Sequence, residues 1–192
     1  MASASDDFNR ADAGTLGANW TAWAPAGDGP DIVSNQAKGG LSASINAAFY
    51  SGVSFAGDHE AQVTKGNASD YQGPAIRMAA ATGYVYFNHG SIQKVIAGVN
   101  SQIAAATSFA SGNTAKIRII DDDLEWWKNG SSDGTVTDAS IGSGGAPGVY
   151  FYDNTGTVDG WSATDDFGGG SILPLVAKDM SGNTVDMKDM RG

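Results

Sequence analysis

Apolar and polar residues alternate with period two through much of the chain. Across residues 115–130, Ile117 and Ile119 alternate with Lys116 and Arg118, and Asp121, Asp122 and Asp123 follow as a turn signal. Residues 124–128 resume an extended, aromatic-rich pattern that Asn129-Gly130 closes. Short Asp side chains hydrogen-bond the local backbone in turns, and Asn-Gly tolerates positive φ. The stretch therefore predicts two antiparallel strands joined by an acidic turn, with a further hairpin turn beyond them.

The same device repeats. Strands are expected at 6–10, with Phe8 as anchor, at 20–23, from Ile32 onward, and at 49–55, 59–65, 74–80 and 83–88. Further strands are expected at 91–97, 99–106, 148–152 and 161–167, with a loose leader over 1–5. In 59–65, Ala61 and Val63 alternate with Glu60, Gln62 and Thr64; in 74–80, Ile76 and Met78 are expected to point inward. Helix is the weaker reading, because 41–48 and 100–109 carry no sustained 3.6-residue period. Short strands with turn signals roughly every 8–12 residues argue for a sandwich or barrel.

Composition narrows the class. At 192 residues the chain can bury a full core without a metal or disulfide, and it has no Cys, which excludes thiol catalysis and zinc–thiolate sites. A net charge of −10 opposes nucleic acid as a partner, since phosphates are held by Lys and Arg clusters. No apolar run is long enough for a membrane span, and no secretory signal is expected, because no basic segment followed by an apolar one opens the sequence.

The opening DDFNRADAGTLGANW, the segments GPAIRMA and GYVYF, the strand EWWKNG and the late DGWSATDDF together resemble concanavalin A-like (laminin-G-like) jelly-roll domains over residues 6–167. The resemblance implies an all-β sandwich of two antiparallel sheets, one of them concave, with the last strand returning beside the first. It divides the chain into a sandwich over 1–168 and an extended C-terminal arm over 169–192. The same fold serves lectins, glycosidases, adhesion modules and virion parts, so function must be argued from a site.

Candidate chemistry is sparse. Enzymes of this fold that cut β-glucans carry Glu-x-Asp-x-Glu on one strand face, and retaining hydrolysis needs two carboxyls about 5–5.5 Å apart. Here Asp121, Asp123 and Glu125 are the nearest match, but the triplet sits where a turn is expected, so a solvated turn outweighs catalysis. His59 and His89 lie in different segments and assemble no triad. The expectation is no enzyme, no catalytic residue and no cofactor, with calcium left open. Asp6, Asp7, Asp121 to Asp123, Asp153 with Asn154, and Asp165 with Asp166 supply hard oxygens, but without EF-hand spacing.

Aromatics carry more. If Val85 and Phe87, and Val149 and Phe151, face the core, then Tyr84, Tyr86, Tyr150 and Tyr152 face the other way; Leu124 and Trp126 inward leave Trp127 outward. Such rings could bind a glycan, form a protein interface, or lie under covering loops. In the arm, Ile172, Leu173, Leu175 and Val176 cluster, and Met187 and Met190 follow, a pattern suited to a partner-binding extension. Together with the resemblance, these features lead to the expectation of a bacteriophage virion protein, a capsid decoration or appendage subunit. It would be homo-oligomeric and bind other virion proteins. The alternatives are a glycan-binding module of a tail fibre or bacterial surface protein and, third, a glycosidase.

Overall fold

The computed structural model describes residues 1–23, 29–67, 71–87 and 89–167, with the backbone of 177–178 and 184–185. The early strands are β1 (Ser3–Asp6), β2 (Trp20–Ala22), β3 (Pro30–Val33), β4 (Gln36–Gly39) and β5 (Asn46–Tyr50). Next come β6 (His59–Lys65), β7 (Gln72–Ala79), β8 (Thr82–Phe87), β9 (Ser91–Ile96) and β10 (Val99–Ala105). The last strands of the sandwich are β11 (Thr114–Ile120), β12 (Asp123–Lys128), β13 (Ser131–Thr137), β14 (Ala146–Phe151) and β15 (Thr157–Thr164). Two short strands, β16 (Ala177–Lys178) and β17 (Thr184–Val185), pair only with each other. No helix occurs among the described residues.

All pairings are antiparallel, and those of β1 to β15 build two sheets. One runs β13-β12-β11-β6-β15-β4-β3 with β1 added on β15; the other runs β10-β9-β8-β7-β14-β5-β2. The expected jelly-roll sandwich is what forms, and the final strand of the domain does return beside the first, Asp6 opposite Trp161 and Ser3 opposite Thr164. Alternation explains the layer between the sheets. Ala61, Val63, Ile117, Ile119, Leu124 and Trp126 project from one sheet onto Ile76, Ile92, Val149 and Phe151 of the other.

The opening segment corrects one expectation. Residues 3–6, not 6–10, form the first strand, and the leader is tied down by β15. Phe8 is still fully buried, but at φ 54° it turns the chain instead of extending it. Around it Asp6 receives both Arg10 guanidinium nitrogens, at 2.7 and 2.9 Å, and the Trp20 indole N–H at 2.8 Å. Burial alone would raise the Asp6 pKa; these bonds outweigh it and hold the carboxyl below its ordinary value. The Asp-x-Phe-x-Arg motif is thus a structural clasp.

Two expected phases are reversed. Tyr84 and Tyr86 point into the layer between the sheets, whereas Val85 and Phe87 lie on the far side of β8. The phenols suit the interior because their tips reach the rim: Tyr84 donates to Asp138 Oδ1 at 2.9 Å, and Tyr86 to Asp133 Oδ2 at 3.0 Å. Met78 is likewise on the far side while Ile76 faces in. A bulge between Ile76 and Ala79, with Arg77 at φ 49°, slips the alternation by one.

Candidate functional site

The far side of the seven-stranded sheet carries a second apolar layer. Trp23, Ala47, Ala75, Met78, Val85, Phe87, Val95 and Tyr150 are all buried there. Rings run across it in contact: Trp23 to Tyr150 at 5.9 Å, Tyr150 to Phe87 at 5.0 Å, Phe87 to His89 at 5.5 Å and His89 to Tyr71 at 4.8 Å. Tyr152 closes the row, 5.7 Å from Tyr71.

At that end of the row the surface opens. Tyr71, Phe87, His89, Gln93, Asn100 and Tyr152 line a depression of about 340 Å³. The sheet places each of them. Tyr71 enters β7 and Tyr152 leaves β14, and a backbone bond from Tyr152 N to Tyr71 O at 2.8 Å fixes the two tyrosines side by side. Phe87 ends β8, and Gly90 turns the chain into β9 at φ 86°, where a Cβ would meet the Ala106 carbonyl at 2.6 Å. His89 is held over that turn, and Gln93 and Asn100 reach the same face from β9 and β10, where Asn100 lies opposite Val95.

Polar groups are oriented from beneath. Gln93 Nε2 donates to Ser91 Oγ at 2.8 Å, and that hydroxyl lies 2.9 Å from His89 Nε2. The Asn100 amide meets the Tyr150 hydroxyl at 3.0 Å. Burial pushes the Tyr150 phenol well above its ordinary pKa, against the opposing effect of the Asn100 bond, so it remains a neutral donor and acceptor. Tyr71 and Tyr152, each 42% exposed, present ring surface, while Gln93 is only 8% exposed and fixed. The arrangement offers ring faces to apolar C–H surfaces and amides to hydroxyl groups.

Of the aromatics singled out in the sequence, Tyr152 lines this depression, Tyr150 is buried in the layer beside it, and Tyr84 and Tyr86 lie on the other side of the sheet. Trp127 faces outward as alternation predicts, but from the other sheet. Lys116 Nζ lies 4.1 Å and Arg118 Cζ 4.7 Å from its ring centre. Those cations pair with Glu60 at 3.2 Å and Glu125 at 2.8 Å, so Trp127 is overlaid by a salt-bridged lattice. Tyr71, Phe87, His89, Gln93 and Asn100 were missed. Both faces of β8 are apolar or aromatic, so period two could not tell which face was the interior. Ile172, Leu173, Leu175, Val176, Met187 and Met190 lie outside the described residues.

The acidic candidates have structural partners. Asp121 and Asp122 lie in the turn before β12, so Asp121 does not share a strand face with Asp123 and Glu125. Arg77, 1% exposed, donates to the carbonyls of Gly57 (3.1 Å), Ile141 (3.0 Å) and Asp121, and lies 3.4 Å from Asp58 Oδ1. The turn therefore seats a buried guanidinium. Asp123 accepts from Thr137 Oγ1 at 2.5 Å, and Asp153 caps its own turn through Thr155 N at 2.9 Å. Asp165 accepts from Ala56 N at 2.8 Å and from Ala2 N. Among the described residues no three His, Asp or Glu side chains gather as a metal centre.

No protein-family model matches the chain, and no curated protein matches it significantly. Solved structures do. The carbohydrate-binding module CBM66 from Bacillus subtilis is similar at TM-score 0.56 and 16% identity, over 76% of this chain and 94% of that one. The exoplasmic/lumenal domain of VIP36, in a Ca2+/Man3GlcNAc-bound form, is similar at TM-score 0.50 and 9% identity, over 76% and 83%. A mutant of the GH43 protein BlXynB from Bacillus licheniformis is similar at TM-score 0.50 and 13% identity, over 83% of this chain but 39% of that one. At such identities the likeness is one of architecture. The chain has the concanavalin A-like jelly-roll sandwich fold.

Proposed function

We propose that the chain is a non-enzymatic glycan-binding module, of the kind carried by a tail fibre or a bacterial surface protein. Its saccharide sits in the Tyr71–Tyr152 depression. The observation that carries this is the open set of rings and fixed amides on one face of the sandwich. Sugar rings have apolar C–H faces that stack on aromatics and hydroxyl rims that amides bind, and clefts of about 300–1,000 Å³ suit small ligands. Two of the structural neighbours, a carbohydrate-binding module and a domain with Man3GlcNAc bound, support the reading.

A hydrolase is disfavoured by the carboxylates. Asp123 and Glu125 do line one depression, but Glu125 is tied to Arg118 and Ser132, Asp123 to Thr137, and Asp121 stands in a turn, so each of the three is engaged in holding the fold. The capsid-decoration expectation drew on the arm, whereas the depression favours ligand binding. A virion setting remains part of the proposal in one form, a tail fibre that reads a cell-surface glycan. The test is a glycan array with the native chain and Tyr71→Ala. The native chain should bind a defined set of saccharides that the variant loses; equal binding by both would refute the site.

A further inference from the structure

We infer that the depression takes an uncharged saccharide and discriminates against uronate, sialylated and sulfated ones. This rests on the glycan-binding reading and names the ligand class within it. The described lining contains no Lys, Arg, Asp or Glu; its polar members are two amides, two phenols and the His89 imidazole, whose Nε2 is engaged with Ser91 Oγ. The neighbouring cation on β9, Lys94, projects to the opposite side of the strand, with Nζ 3.1 Å from Asp138 Oδ2 and 2.7 Å from Ser140 Oγ.

An anionic sugar entering here would lose hydration without gaining a cation from the described lining, and desolvating an unpaired carboxylate or sulfate is unfavourable. The molecule's net charge of −10 adds repulsion at longer range. An ammonium sugar finds no carboxylate in the described lining. A neutral ring loses only hydroxyl hydration, which the fixed amides replace. Gln93 matters most in this exchange: with Nε2 donating to Ser91 Oγ, its Oε1 is the atom that would accept from a sugar hydroxyl. Asn100, held at the Tyr150 hydroxyl, supplies the second amide.

The experiment is calorimetric titration of the native chain, at slightly alkaline pH, with neutral oligosaccharides and their uronate or sulfated counterparts, at low and at physiological salt. Neutral ligands should bind at least about tenfold more tightly, a difference of roughly 1.4 kcal/mol, with affinity independent of salt. Gln93→Ala should weaken the neutral ligand about tenfold at a temperature where its melting curve shows the variant folded. Tighter, salt-sensitive binding of the charged counterpart, abolished by Tyr152→Ala, would overturn the ligand class and leave the glycan site standing. No binding of either kind would overturn the glycan-binding reading itself.

Discussion

Tyr71 and Tyr152 are each 42% exposed, although Phe87 beside them is 2% and Tyr150 is fully buried. Two large rings left open beside a sealed aromatic layer point to a ligand that completes the layer. Tyr152→Ala should lower saccharide affinity about tenfold or more with no loss of folding, because a stacked ring contributes roughly 0.5–1.5 kcal/mol beyond its buried area. Titration calorimetry beside a melting curve checks this. Trp127→Ala should leave saccharide affinity unchanged, since the Lys116 and Arg118 side chains already overlie that ring. Alternation found Trp127 outward and put Tyr150 and Tyr152 on the far side of their sheet, yet it ranked a covered tryptophan and a buried Tyr150 with the open Tyr152. Which face carries a salt-bridge lattice depends on Glu60, distant in sequence, and that pairing has no local signature.

At the scale of elements, β7 decides how the two faces are assigned. Its bulge places Ile76 in the inter-sheet core and Met78 on the opposite layer, and the buried Arg77 fixes it from both ends. Arg77 N donates to His59 Nε2 at 2.9 Å, His59 Nδ1 donates to Ala56 O at 2.8 Å, and the guanidinium satisfies three loop carbonyls. Arg77→Met should therefore cost about 1–3 kcal/mol, because it strands the buried Ile141 carbonyl. A fall in the urea midpoint measures it. The hairpin β11–β12 was legible because Ile and Leu alternate with charge and Asp and Asn-Gly mark its turns. β4 and β13 were not: QAKG and SSDGTVT carry little apolar contrast, and it is pairing, of β4 to β3 and β15 and of β13 to β12, that makes them strands.

For the whole molecule, burial ties stability to pH on both sides. Burial and the charge of Arg77 hold His59 below its ordinary 6.5, so its contribution is complete above that pH and is lost as pH falls below it. Asp138 is opposed by burial, but bonds from Ser140, Lys94 and Tyr84 bring it down to about 2; its contribution is complete above 3.8 and lost in strong acid. Burial raises Tyr84, Tyr86 and Tyr150 above their ordinary 10.0, so their contribution is complete below that pH and lost above it. The thermal midpoint should be flat between about pH 6.5 and 10 and fall on either side; a midpoint that rises below the plateau would contradict these assignments. The fold was readable because strand alternation and the Asp6–Phe8–Arg10 clasp are local, whereas the site joins five strands brought together only by the sheet order β10-β9-β8-β7-β14.

The proposed saccharide site lies on the far side of the seven-stranded sheet. Titrating the isotope-labelled chain with a glycan found on the array, and following backbone and side-chain NMR shifts, tests it most directly. Shifts should concentrate at Tyr71, His89, the Gln93 and Asn100 amides and Tyr152, with Lys116, Arg118 and Trp127 unmoved. Shifts confined to the Trp127 face would contradict it.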